Sequence, residues 1–132
     1  MEPTIFSEVE PGMRIEQEEI FGPVLSVVKI NDFNEAIEVA NDVEYGLSSS
    51  IYTNNVKYAM RAIDRLEAGL TYINAPTIGA ECHMPFGGFK NTGNGHREGG
   101  KWPYEVFGEI KTVYIDYSGK LQKAQIDTEI TK

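Results

Sequence analysis

The stretch "GLSSSIYTNNVKYAMRAIDRLEAGLTYINA", residues 46–75, decides the fold. Its middle, "NNVKYAMRAIDRLEAG", predicts a helix: Val56, Ala59, Met60, Ile63 and Leu66 recur at helical spacing on one face, and Gly69 is its stop. "LSSSIYT" before it and "LTYINA" after it read as strands. Two strands joined through a helix predict a parallel pair with a right-handed connection.

The same unit repeats upstream. "VLSVVKI" (24–30) is apolar at both parities, as expected of a strand covered on both faces. "NDFNEAIEVANDVEYG" (31–46) predicts a helix with Asn31 or Asp32 as cap and Glu35 in the first turn, where the helix dipole favours a carboxylate. Phe33, Ala36, Ile37, Ala40 and Val43 form its buried stripe, with Gly46 just beyond its end. "TIFSE" (4–8) is β-prone and "EPGMR" (10–14) is a turn. The fold class is therefore α/β, a parallel sheet with β-α-β-α-β crossovers.

After residue 75 the character changes. "APTIGAECHMPFGGFKNTGNGHREGG" is a long loop with six glycines between 87 and 100, and loops of that length inside a compact domain are usually functional or disordered. "WPYEVFGEI" fits a short helix that tolerates Pro103 in its first turn. "KTVYIDY" (111–117) alternates like a half-buried strand, and a polar tail closes the chain. These shifts divide the chain into a body (1–109), a strand segment (110–118) and a tail (119–132).

With 132 residues and ordinary globular composition, one domain is expected, burying roughly two-thirds of its unfolded surface. A formal charge of −8 with no local cluster of cations argues against nucleic acid. The longest apolar run is too short for a bilayer, and the N-terminus has no signal-peptide character. One cysteine allows no internal disulfide and suits a reducing, cytoplasmic compartment.

The chemistry-bearing residues are few. "GNGHREGG" fails the dinucleotide fingerprint because Glu98 stands where the third glycine is required, and "GGFKNTG" lacks the P-loop order. Positive φ and close backbone approach explain those glycines without a ligand. Cys82, His83 and His96 have no zinc spacing, so no metal site is expected. A Cys–His nucleophile would need the imidazole beside the sulfur in space, and Cys82 is expected only in a loop or pocket wall. Arg97 and Glu98 suggest a structural ion pair or an anchor for the loop rather than a catalytic dyad. The adjacent Glu18 and Glu19, taken alone, read as solvated carboxylates before a turn, and Phe21 as a core anchor.

Taken together, "PTIF", "EEIFGPV", "A-x-x-x-AND-x-x-YGLSSSIYT", "AG-x-x-x-INAPT", "PFGG-x-K-x-TGNGHREGG" and "EIKTVYIDY" resemble the C-terminal portion of the NAD(P)-dependent aldehyde dehydrogenase superfamily, in order and spacing from residue 3 to about 118. The wording around "INAPTIGAECHMPFGG" looks most like the semialdehyde-oxidising branches. The resemblance implies that Glu19 hydrogen-bonds the nicotinamide ribose, since a carboxylate accepts from both hydroxyls of a vicinal diol. It also implies that Phe21 packs near the nicotinamide. Ile78, Gly79, Ala80, Glu81 and Cys82 correspond to the loop lining the aldehyde entrance, with Phe86 as an aromatic wall. The 110–117 segment resembles the family's oligomerisation strand, whose half-polar alternation suits an edge needing a partner.

The family's nucleophilic cysteine, general-base glutamate and dinucleotide-binding fold all precede "EEIFGPV" and are not in this sequence, so no catalytic residue is expected here. NAD or NADP would be the parent family's cofactor, with none expected on this chain alone. The expectation is an inactive C-terminal fragment of an aldehyde dehydrogenase converting aldehyde to acid. The alternatives are the small subunit of a split enzyme, completed by a separate N-terminal chain, and a non-enzymatic oligomeric interaction module. A homo-oligomer is expected, through apolar surface and the 110–117 strand.

Overall fold

The structure, a computed structural model, describes residues 2–120. The expectation of a polar tail falls largely outside them. In chain order the elements are β1 (Thr4–Val9), α1 (Arg14–Gln17), β2 (Val24–Val28), α2 (Phe33–Asn41), β3 (Tyr45–Gly46), β4 (Ser48–Ile51), α3 (Val56–Arg65), β5 (Leu70–Ile73), β6 (Phe89–Lys90) and α4 (Pro103–Phe107). The class is α/β, and its two longer ladders are parallel.

The stretch that decides the fold behaves as its pattern requires. β4 and β5 pair in parallel, from Ser48 opposite Leu70 to Ile51 opposite Ile73, with α3 as the crossover. Ser49 and Thr71 face each other with hydroxyls 3.0 Å apart, so even the polar positions of this ladder are partnered. Asn55 caps α3 by accepting from the Lys57 backbone N–H at 3.0 Å. Asp32 caps α2, accepting from Asn34 and Glu35 at 2.7 and 3.0 Å. The helices meet where Phe33 stacks on Tyr58 at 4.6 Å between centroids. Arg61 lies over the same ring, and Arg61 and Arg65 both donate to Asn34 Oδ1, at 2.7 and 2.9 Å.

Pairing departs from a single continuous sheet. β2 pairs with β1, Thr4 opposite Val24, rather than with β4, and the ladders form three two-stranded sheets. β3 and β6 form a short antiparallel pair, Tyr45 opposite Lys90 and Gly46 opposite Phe89. Gly46 does not end α2, which stops at Asn41; it sits buried in β3, where a Cβ would strike the Glu67 carbonyl. Gly69 likewise lies beyond the end of α3 at Arg65, its N–H donating to Gly46 O at 3.0 Å.

The core is small. Val9, Ile37 and Ala62 are the only buried apolar side chains among the described residues. The predicted stripe of α3 does not point inward as a whole. Ala62 takes the buried position, while Val56, Met60 and Ile63 are 75%, 56% and 50% exposed. β2 is covered on one face only, with Leu25 57% exposed on the other. The accessible surface is 11459 Å², against about 6,900 Å² for a compact monomer of this mass and about 21,300 Å² unfolded. Folding thus buries under half of the unfolded surface, not two-thirds. Periodicity marks which residues are apolar, and much of that surface has no cover among the described residues.

Residues 111–117 were expected as a half-buried strand. They pair with nothing among the described residues and are exposed throughout. An alternating segment without a neighbouring edge cannot form a ladder. α4 begins with Pro103 in its first turn, as its sequence requires.

Candidate functional site

β5 ends at Ile73 and delivers the chain into the loop 74–86. Asn74 adopts φ +54 and its side chain fastens the turn to Thr53, accepting from its N–H at 2.7 Å and donating to its carbonyl at 3.0 Å. Ser50 donates to the Ala75 carbonyl at 2.6 Å. From this fixed exit the loop folds over the end of β5 and lines an open cavity of about 570 Å³. Leu70, Tyr72, Ile78, Met84 and Phe86 supply apolar walls, and Glu81 is its one charged lining residue.

Five of the six expected pocket residues line this cavity: Ile78, Gly79, Ala80, Glu81 and Phe86. Cys82 does not; its exposed thiol is free, and its carbonyl accepts from Gly100 N–H at 2.8 Å. Leu70, Tyr72 and Met84 were not singled out from the sequence. The available signal was the strand period of "LTYINA", which places Leu70 and Tyr72 on one face leading into the loop.

The glycine-rich strap 93–100 closes the loop from outside. Phe86 and Glu98 exchange both backbone hydrogen bonds, at 2.6 and 2.7 Å. Gly99 and Gly100 have φ +78 and +56, and a Cβ on either would run into the carbonyls of Met84 or His83. Glycine is needed here for close approach of two backbones, not for a phosphate. Arg97 makes no ion pair with Glu98. Its guanidinium lies over Phe89 and donates to the His96 carbonyl at 3.2 Å.

Glu18 and Glu19 have different surroundings. Glu18 pairs with Arg14 at 2.8 Å, and that hydrogen bond and charge hold the Arg14 guanidinium above its ordinary value. Glu19 lines a separate cavity of about 480 Å³ with Asn41, Tyr45, Ser48 and Thr92. Phe21 follows at φ +50 and is 89% exposed, an aromatic face held out by a left-handed backbone turn rather than a core anchor. Glu19 and the five substrate-side residues therefore line different cavities, and Phe21 lines neither. No group of three or more potential metal ligands occurs among the described residues.

The chain is an α/β crossover unit whose last strand runs into a long pocket-lining loop. The aldehyde dehydrogenase family model matches residues 1–113. This chain belongs to the aldehyde dehydrogenase family. It is 48% identical over 118 residues to the α-ketoglutarate semialdehyde dehydrogenase of Haloferax volcanii, covering 89% of this chain and 24% of that protein. Against the α-ketoglutaric semialdehyde dehydrogenase of Bacillus subtilis it is 44% identical, covering 87% and 24%. Among solved structures, the NAD-dependent aldehyde dehydrogenase of Sinorhizobium meliloti superposes with a TM-score of 0.80 at 36% identity, covering 92% of this chain and 24% of that one. A Mycobacterium tuberculosis aldehyde dehydrogenase complexed with NAD+ gives 0.79 at 36% identity, covering 90% and 24%. The chain spans about a quarter of the length of the relatives it matches.

Proposed function

We propose that this chain is the C-terminal segment of an NAD(P)-dependent aldehyde dehydrogenase that oxidises aldehydes to carboxylic acids. On this reading it supplies one wall of the aldehyde entrance and one side of the nicotinamide-ribose site, and it is inactive alone. The observation that carries the reading is the apolar cavity at the end of β5, where Ile78, Gly79, Ala80, Glu81 and Phe86 converge on a fastened loop.

The residues present fit only one end of a dinucleotide. Glu19 lines a cavity with room for a ribose and offers a carboxylate to its diol, and the exposed Phe21 offers an aromatic face to the nicotinamide. Gly99 and Gly100 are packed against the loop carbonyls of Met84 and His83 and so are not free to cradle a pyrophosphate. When bound, the cofactor accepts a hydride. This chain's residues orient its ribose and keep water from the aldehyde mouth. The nucleophilic thiol, the general base and the dinucleotide fold belong to sequence outside this chain, and Cys82 does not line the cavity.

The exposed apolar faces favour a second form of the same reading, the small subunit of a split enzyme completed by a separate N-terminal chain. Without that chain, they support homo-oligomerisation, to which 110–117 contributes as an unpaired segment. The free thiol of Cys82 fits a reducing, cytoplasmic setting. Among the described residues no helix is long and apolar enough to cross a membrane.

The test is an NAD(P)-dependent aldehyde oxidation assay. The purified chain is expected to show no turnover, and to gain it when an N-terminal aldehyde dehydrogenase piece is added. Turnover by the chain alone that disappears in Cys82→Ala would overturn the reading.

A further inference from the structure

Tyr72 stands in β5, a ladder paired along its whole length. Its hydroxyl reaches seven residues ahead and donates to the Gly79 carbonyl at 2.6 Å. That carbonyl can face the strand because Gly79 adopts φ +89, a left-handed conformation that other residues enter only at a cost. Both residues line the cavity. The rest of the loop is held by backbone groups: Met84 N–H to Glu81 O at 2.9 Å, Gly100 N–H to Cys82 O, and the Phe86–Glu98 exchange. Those fastenings all lie at or beyond Glu81. Between Ala75 and Glu81, the Tyr72 hydroxyl is the tie back to the strand among the described residues.

We propose that Tyr72 is a positioning residue for the mouth of this cavity: its hydroxyl sets where Ile78, Ala80 and Glu81 stand, and so how tightly an aldehyde is held. The proposal rests on the cavity being the aldehyde entrance. A rigid strand holds the phenol, and the phenol holds a glycine that turns the loop back over the cavity. Ile78, at the tip, is 80% exposed and has little else to place it. Losing the hydroxyl leaves the ring and its packing, but frees the loop between Ala75 and Cys82. A freed mouth binds substrate less well, while the reacting atoms, held elsewhere, are unaffected.

Two measurements test this with Tyr72→Phe and Gly79→Ala. The first removes only the donor; the second has open space for its Cβ but strains φ, turning the carbonyl away. In the chain as it exists, backbone hydrogen exchange across 77–83 should rise in both variants, with α2 and α3 unchanged. In enzyme reconstituted with an N-terminal piece, KM for the aldehyde should rise about two- to tenfold, the range a single neutral hydrogen bond is worth, with kcat unchanged. Unchanged exchange in both variants overturns the proposal. So does raised exchange with unchanged KM, or a fall in kcat alone. If the wild type gains no turnover on reconstitution, the reading of the cavity as an aldehyde entrance falls, and exchange still decides whether Tyr72 holds the loop.

Discussion

Lys90 carries its ammonium to the end of α2, where it donates to the carbonyls of Asn41 and Val43 and pairs with Glu67 at 2.9 Å. One side chain from the "PFGGFK" segment thus joins the C-terminus of α2, the turn after α3 and the β3–β6 pair. The helix end presents unsatisfied carbonyls and partial negative charge, which a cation complements. Asn41 completes the junction, donating to Arg65 O at 2.8 Å and accepting from Glu67 N at 3.0 Å.

The two halves of this junction should be separable. The Lys90 side chain is 22% exposed against 56% for Glu67, so its carbonyl contacts should matter more than the ion pair. Lys90→Met is expected to cost about 1–2 kcal/mol and Glu67→Gln no more than about 0.5 kcal/mol. Urea unfolding of both variants checks this. Equal losses would mean that the ion pair carries the junction.

The glycines should also differ sharply among themselves. A Cβ on Gly69 would overlap the Gly87 carbonyl and press on the Gly88 Cα at 3.0 Å. Gly69→Ala is expected to destabilise by about 1–3 kcal/mol, the cost of forcing atoms into a packed contact. At Gly93 the nearest obstacle is Gly88 O at 3.9 Å and φ is not left-handed. Gly93→Ala should be neutral or stabilise by up to about 1 kcal/mol, through the unfolded chain. Similar midpoints for the two variants in thermal unfolding would contradict the packing argument.

A third expectation concerns pH. Asp116 accepts from Ser118 N–H at 2.7 Å, and that hydrogen bond lowers its carboxyl below the ordinary value of 3.8. A lowered carboxyl contributes to its turn above the unfolded value, and that contribution is lost as pH falls through the folded value. The turn 116–118 should therefore persist at pH 5 and open only below the ordinary carboxylate range. The Ser118 amide shift in an acid titration reports it. Asp116→Asn should abolish the acid transition, and a midpoint above 3.8 in the parent chain would count against the assignment.

Which parts of this were legible in the sequence follows from what each signal measures. Asp32 as cap, α3 between two parallel strands and Pro103 at the start of α4 are local matters of spacing and chemistry, and residues 31–75 and 102–107 display them. Pairing of β2 with β1 rather than β4 is long-range and leaves no local mark. Apolar spacing identified Val56, Met60 and Ile63 but not the direction they face, because no described element packs over them. Of the residues that the resemblance assigned to a pocket loop, all but Cys82 line one cavity. Tyr72 was not legible, since a hydrogen bond to a main-chain carbonyl seven residues ahead has no sequence pattern. Glu19 and Phe21 carry their motif intact, yet Glu19 lines a cavity apart from the loop and Phe21 stands exposed, a placement that the motif does not foretell.

The uncovered faces lead to the last expectation. Ile5 and Leu25 pair across the β1–β2 ladder and both are largely exposed, and α3 presents Val56, Met60 and Ile63 on a second face. Contiguous apolar surface beyond a few hundred Å² is rare on soluble monomers, because water gains by its removal. Opposing association is the formal charge of −8, which repels like copies over about 10 Å at 0.1 M salt. The two effects respond oppositely to salt: screening weakens the repulsion and leaves apolar attraction intact. Self-association at micromolar concentration should therefore strengthen from low to moderate ionic strength, as read by sedimentation velocity. Replacing Ile5 and Leu25 together by Lys should weaken it, and Met60→Lys should do so independently if the second face takes part. A monodisperse monomer at every salt concentration would show that these faces do not drive association in the isolated chain.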